Sequence, residues 1–161
     1  MPKSSKSAKK TVTLEDGENK KLKLIVLTKG WKYNPSNGHF YKVIKGSTWP
    51  QCNRMAGKEG TQLVCIDDKK EQQWLVRQFG GSTLYWIGLT DKGKEGVWKW
   101  VDGEKASYTN WFGSEPNDTG SEDYAVMNWK SPGKWNDLGL KSGQESGVEH
   151  AIIEAEEDDE E

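Results

Sequence analysis

Apolar positions along this chain come in short runs, and the spacing inside each run assigns its element. Thr11–Leu14 and Lys21–Leu27 alternate or cluster as β-like segments around a polar turn holding Asp16-Gly17, which predicts a hairpin over residues 11–29. Trp31–Tyr41 is rich in Asn, Gly and Pro and reads as a loop leading into a strand at His39–Val43. Thr48 as N-cap, Pro50 in the first turn and Gly60 at the far end bracket a helix. Leu63–Ile66 then reads as a short buried strand. A second helix follows over Lys69–Phe79, where Trp74, Leu75 and Phe79 recur at helical spacing and Gly80-Gly81 stops it. Beyond it the texture changes to strands at Leu84–Leu89, Val97–Val101, Tyr124–Met127 and Ala151–Ile153, with an Asp102-Gly103 turn. Residues 108–120 carry Asn, Gly, Pro and Asp too densely for regular structure, and a long loop inside a compact domain is usually functional. The order predicts an α+β fold: two helices flanking small antiparallel sheets, with one long loop.

Composition narrows what such a fold can do. The 161 residues allow one compact domain with extensions. Hydrophobic content is 33% with no apolar run of spanning length, which argues against a membrane helix. Twenty-three basic groups against 25 acidic ones leave a net charge of −2, so no global field selects nucleic acid. Nine Trp supply the bulk that the sparse aliphatic residues do not. The lysine-bearing residues 1–10 and the acidic residues 155–161 read as disordered tails, leaving 30–154 as the main domain behind the 11–29 hairpin. Cys52 and Cys65 allow at most one bridge, and buried free thiols are the expectation.

Candidate chemistry is concentrated in oxygen-bearing side chains: Asp91 with Glu95, Glu115-Pro116-Asn117-Asp118, Glu122-Asp123 and Asn136-Asp137. Hard cations such as Ca²⁺ want six to eight oxygen ligands, which loops can gather. Zinc fits poorly, because His39 and His150 are the only histidines and both Cys lie in core-like segments. The twelve-residue spacing of an EF-hand is absent.

Trp86-Ile87-Gly88-Leu89, the Glu95–Trp100 hairpin, Glu115-Pro116-Asn117, Glu122-Asp123 and Gly133-Lys134-Trp135-Asn136-Asp137 together resemble the C-type lectin domain, in that family's order, over residues 31–154. The resemblance implies a principal calcium ion held by Glu115, Asn117, Glu122, Asn136 and Asp137, with Pro116 as a cis-proline. Glu115, Asn117, Glu122 and Asn136 are then also the sugar ligands. It implies an auxiliary ion on Asp91, Glu95, Asp118 and Asp123. The Glu-Pro-Asn order resembles members that take the vicinal equatorial hydroxyls of mannose, N-acetylglucosamine, fucose or glucose. The partner is then a mannose-type glycan, with no nucleic acid and no membrane insertion, and an oligomer or larger parent protein would supply avidity.

The departures matter as well. The family's usual cysteine positions read Ala56 with Ile153 and Tyr124 with Leu140. No signal peptide is visible, so the reading of location is a reducing cytoplasm or a prokaryotic protein, and an extracellular one if a signal was removed. Asn117-Asp118-Thr119 also spells an N-glycosylation acceptor inside the implied sugar site. Two rival classes remain. A glycosidase would need carboxylates facing each other, whereas Glu122 and Asp123 are adjacent and would point to opposite faces of a strand. A lectin-like module that binds protein or another surface, with calcium only ordering the loop, is the alternative reading.

Overall fold

The computed structural model describes residues 10–15, 21–26, 30–119 and 121–156. The basic and acidic tails fall almost wholly outside them. Strands β1 (Lys10–Glu15) and β2 (Lys21–Val26) pair antiparallel as a sheet of their own. The domain proper contains β3 (Lys32–Asn34), β4 (His39–Lys45), helix α1 (Trp49–Lys58), β5 (Gln62–Leu63), helix α2 (Lys69–Phe79), β6 (Tyr85–Thr90) and β7 (Lys99–Trp100). After the long loop come β8 (Tyr124–Met127), β9 (Trp135–Leu138), helix α3 (Leu140–Glu145) and β10 (His150–Ala155).

Where small antiparallel sheets were expected, one eight-stranded mixed sheet forms, in the order β3-β4-β10-β6-β8-β9, with β5 on β10 and β7 on β6. The β10–β6 pair is parallel, His150 opposite Tyr85. Continuous apolar runs are the mark of strands covered on both faces, and the alternation bears this out. Ile152, Ile87 and Met127 enter one core cluster with Leu75, Trp100 and Trp135. Ala151, Ile153, Trp86 and Val126 enter a second with Trp49, Cys52 and Ala56.

Helix α1 starts where Thr48 accepts a hydrogen bond from the Gln51 amide, and buries Trp49, Cys52 and Ala56 along one stripe. The indole of Trp49 donates to the Ile87 carbonyl (2.7 Å), tying α1 to β6. Helix α2 starts with Asp68 accepting from the Glu71 amide (2.8 Å) and ends at Gly80, φ 87°. Its inward face differs from the apolar stripe read from the sequence: Glu71, Gln72 and Leu75 are buried, while Trp74 and Phe79 are only partly covered. Both polar groups are partnered, as burial requires. Glu71 accepts from Tyr41, Asn37 and the Asp67 amide, and Gln72 accepts from the Trp135 indole (2.6 Å).

Gly88 shows why β6 reads Trp-Ile-Gly-Leu. A Cβ there would sit 2.7 Å from the Leu63 carbonyl oxygen, and the Gly88 amide donates to the Val64 carbonyl (2.8 Å). The helix α3, absent from the sequence reading, is seated by Gly143, whose Cβ would strike the Trp86 ring at 2.6 Å. Cys52 and Cys65 are both free and buried. At the family's cysteine positions Ala56 and Ile153 pack in the second cluster and Tyr124 stacks on Trp49 (4.8 Å), whereas Leu140 is 52% exposed.

Candidate cation and ligand site

The long loop is fastened at its base before it turns outward. Asn110 accepts the Trp135 amide on its carbonyl (2.9 Å), while its side chain donates to the Gly133 carbonyl (2.8 Å) and accepts from Lys134. Trp111, Trp100 and Tyr108 all meet the Trp135 ring edge to face, between 5.6 and 5.7 Å. Asn128, which the sequence reading passed over, holds the neighbouring turn. It is buried at φ 72°, donates to the Gly80 and Thr83 carbonyls and accepts from the Gly133 amide. Asn tolerates the left-handed region better than most residues, which is the signal that marks it.

On this base β9 carries Asn136 and Asp137, opposite Val126 and Ala125 of β8. Asp137 is fully buried, and its two oxygens accept the amides of Asn117 (3.1 Å) and Asp118 (2.7 Å). That pair of bonds folds the loop tip back over the sheet. The Glu115–Pro116 peptide is cis, and Asp118 (φ 50°) and Ser121 (φ 66°) are left-handed. Asp118 in turn accepts the Glu122 amide (3.2 Å), and Asn117 the Thr119 amide. Asn136 is 3% exposed, yet its side-chain carbonyl oxygen has no hydrogen-bond partner. Such an orphan is rare and calls for an explanation.

The charges around it tell the same story. Burial and the nearby Asp137 carboxylate push Glu122 up to about 7, against a hydrogen bond from Ser142. Burial and Asp137 also raise Glu115, with Lys130 opposing. A second group forms where β6 ends: Asp91, Glu95 and Asp123 bring carboxylate oxygens within 4.8 Å of one another. Loss of water raises Glu95 to about 7, followed by the charges of Asp91 and Asp118. Asp91 is raised chiefly by burial, and one of its oxygens is a buried orphan. Among the described residues Glu115, Glu122 and Asp137 do not close to that spacing; they act on one another at longer range. The structure thus brings all nine candidate residues to one end of the sheet, as an inner set around Asp137 and an outer set around Asp91.

The model for the lectin C-type domain matches residues 45–143. The chain belongs to the C-type lectin domain family. Human C-type lectin domain family 4 member K is 34% identical over 120 residues, 71% of this chain and 36% of that protein. The chain therefore spans about a third of the length of that curated relative. Among solved structures, the carbohydrate-recognition domain of the mouse scavenger receptor C-type lectin superposes with a TM-score of 0.69 at 28% identity, covering 83% of this chain and 98% of that one. The cow CD23 carbohydrate-recognition domain, solved in the presence of a GlcNAc2Man3 oligosaccharide, gives 0.69 at 27%, covering 83% and 98%. The α+β fold of this C-type lectin domain is that of these relatives, and the family consists of binding modules, not enzymes.

The C-type lectin family generally binds Ca²⁺. The side chains present here suit such an ion: all donors are oxygens, two of them are buried without a partner, and burial, followed by the neighbouring negative charges, raises the proton affinity of the carboxylates Glu95 and Glu122. Among the described residues no helix is long and apolar enough to cross a membrane.

Proposed function

We propose that this lectin domain binds carbohydrate through calcium, with Glu115, Asn117, Glu122, Asn136 and Asp137 holding the principal ion and Asp91, Glu95, Asp118 and Asp123 an auxiliary one. The orphaned Asn136 carbonyl oxygen, buried on β9 next in the chain to Asp137, is the observation that carries the reading. A buried amide oxygen left unpaired costs about 1–3 kcal/mol, and a cation ligated there removes that cost. When bound, calcium supplies a charge dense enough to accept two neighbouring sugar hydroxyls as further oxygen ligands.

The chain's own residues do the rest. Asp137 fixes the loop tip through the Asn117 and Asp118 amides, so that Glu115 and Asn117, on either side of Pro116, are presented together. Carboxylates of Glu115 and Glu122 accept from hydroxyls, while the amides of Asn117 and Asn136 donate. This Glu-Pro-Asn arrangement supports a preference for the vicinal equatorial hydroxyls of mannose-type sugars: mannose, N-acetylglucosamine, fucose and glucose.

Chromatography on immobilised mannose and galactose tests it. Retention on mannose in calcium buffer, release by chelator, and a shift of the Glu115→Gln/Asn117→Asp variant toward galactose are expected. If neither column retains the protein while calcium still raises its melting temperature, the sugar reading fails and calcium only orders the loop.

A further inference from the structure

Helix α2 buries two polar side chains at consecutive positions, Glu71 and Gln72, on a face whose next buried residue is Leu75. Glu71 anchors the first turn through Tyr41, Asn37 and the Asp67 amide. Gln72, 3% exposed, accepts the Trp135 indole N–H on its Oε1 (2.6 Å), while its Nε2 meets the Met127 sulfur (3.8 Å). A buried amide is therefore taken out of water for one strong bond, at a position where leucine or methionine would bury no polar group.

Pairing the indole is not reason enough. Trp86 is as deeply buried, at 1% exposed, and its N–H has no acceptor among the described residues. The fold thus tolerates an unpaired indole. What separates the two rings is where they stand. Trp135 opens β9, one residue before Asn136 and two before Asp137. Its backbone also receives the base of the long loop: its amide donates to the Asn110 carbonyl, and its carbonyl accepts the Phe112 amide. Trp100, Tyr108 and Trp111 meet its ring edge to face and set the tilt. The indole N–H lies in the ring plane, so the bond to Gln72 fixes the remaining rotation. The turn before β9 is seated on the same helix, since a Cβ at Gly133 (φ 76°) would lie 3.3 Å from Val76 and 3.4 Å from Gln72.

We infer that Gln72 is a positioning residue of the proposed principal ion site: through the Trp135 ring it holds Asn136 and the base of the long loop where the oxygen ligands converge. Groups that orient metal ligands from behind change metal affinity roughly 10–100-fold when removed. The inference rests on the calcium reading above and deepens it.

Calorimetric calcium titrations, together with NMR of the Trp135 indole N–H in chelator, test it. The principal site is the binding step that Asn136→Ala abolishes. Gln72→Leu is expected to raise the Kd of that step about tenfold and, in chelator, to move the Trp135 indole proton upfield, toward an unbonded N–H. Trp135→Phe removes the donor and is expected to raise the Kd by a similar factor, with no further rise in the double variant. Leu75→Val, a loss of core volume on the same helix, is expected to lower stability while the Kd stays within about twofold of wild type. Wild-type calcium affinity in Gln72→Leu, additive effects in the double variant, or an equal loss in Leu75→Val would make the bond a part of the core only and overturns the inference. If Gln72→Leu does not fold, Trp135→Phe set against Leu75→Val decides between the same outcomes. A wild-type protein with no calcium step that Asn136→Ala abolishes overturns the ion-site reading, and the role of Gln72 with it.

Discussion

Asn136 and Asp137 are adjacent, both buried, and perform opposite services. Asp137 has both oxygens occupied by loop amides, whereas the Asn136 carbonyl oxygen bonds nothing. Their truncations should therefore separate. In chelator, Asp137→Ala leaves two amides unpaired and is expected to lower stability by about 1–3 kcal/mol. Asn136→Ala breaks no bond to its carbonyl oxygen, so the expected cost is under about 1 kcal/mol. Both variants should lose retention on mannose. Urea unfolding in chelator beside column retention in calcium checks the pair, and equal stabilities would contradict the assignment of roles. The residue types at this site were legible in the sequence because oxygen donors crowd into an otherwise structureless stretch. What was not legible is which donor is already satisfied, since the amide donors to Asp137 lie some twenty residues away along the chain.

At the scale of elements, most strands and the first two helices follow from local signals: Thr48 and Asp68 as caps, Gly80 as stop, and apolar runs of strand length, whereas β3 falls in a stretch that reads as loop and β9 carries polar Asn136 and Asp137 in place of an apolar run. Helix α3 did not, because Leu140-Lys141-Ser142-Gly143-Gln144-Glu145 has no apolar period and a glycine inside it. Its position depends on the Trp86 ring of β6, with three strands between them along the chain. The inward Glu71 and Gln72 were illegible for the same reason, their partners Tyr41 and Trp135 being distant in sequence. The joining of expected small sheets into one mixed sheet turns on the parallel β10–β6 pair, which no local pattern announces. Close approach of β6 to the segment after β5 gives a test at this scale. Gly88→Ala forces a methyl against the Leu63 and Val64 carbonyls, and a loss of about 1–3 kcal/mol is expected in chemical denaturation; a neutral result would mean that the strands part easily.

For the whole molecule, stability should respond to calcium and to pH. Calcium that binds only the folded state at a hundred times its Kd is expected to add about 2.7 kcal/mol, read as a calcium-dependent rise in Tm that chelator reverses. With calcium removed, stability should fall as pH rises from about 5 to 7.5. Glu71 is held up near 7 by burial, above its ordinary value of 4.5, so the folded state keeps a proton that the unfolded state has lost, and ionisation across that window disfavours folding. His39 works in the same direction: its bond to Glu154 raises its affinity for a proton, and the stabilisation is lost as pH climbs through the folded value. Glu71→Gln should flatten the slope by no more than about 3 kcal/mol across the window, measured by denaturation in chelator. Cys52 and Cys65, each free, lie in different halves of the hydrophobic interior, one on the buried face of α1 and the other in the cluster that holds Leu75 of α2. Burial pushes the Cys52 thiol up to about 11 and raises Cys65 further, and a protonated thiol is a poor nucleophile. Alkylation of either therefore waits for its own half to open, so the protein carries two native clocks, and their rates under chelator and under calcium would report which side of the sheet breathes when the loop loses its ion.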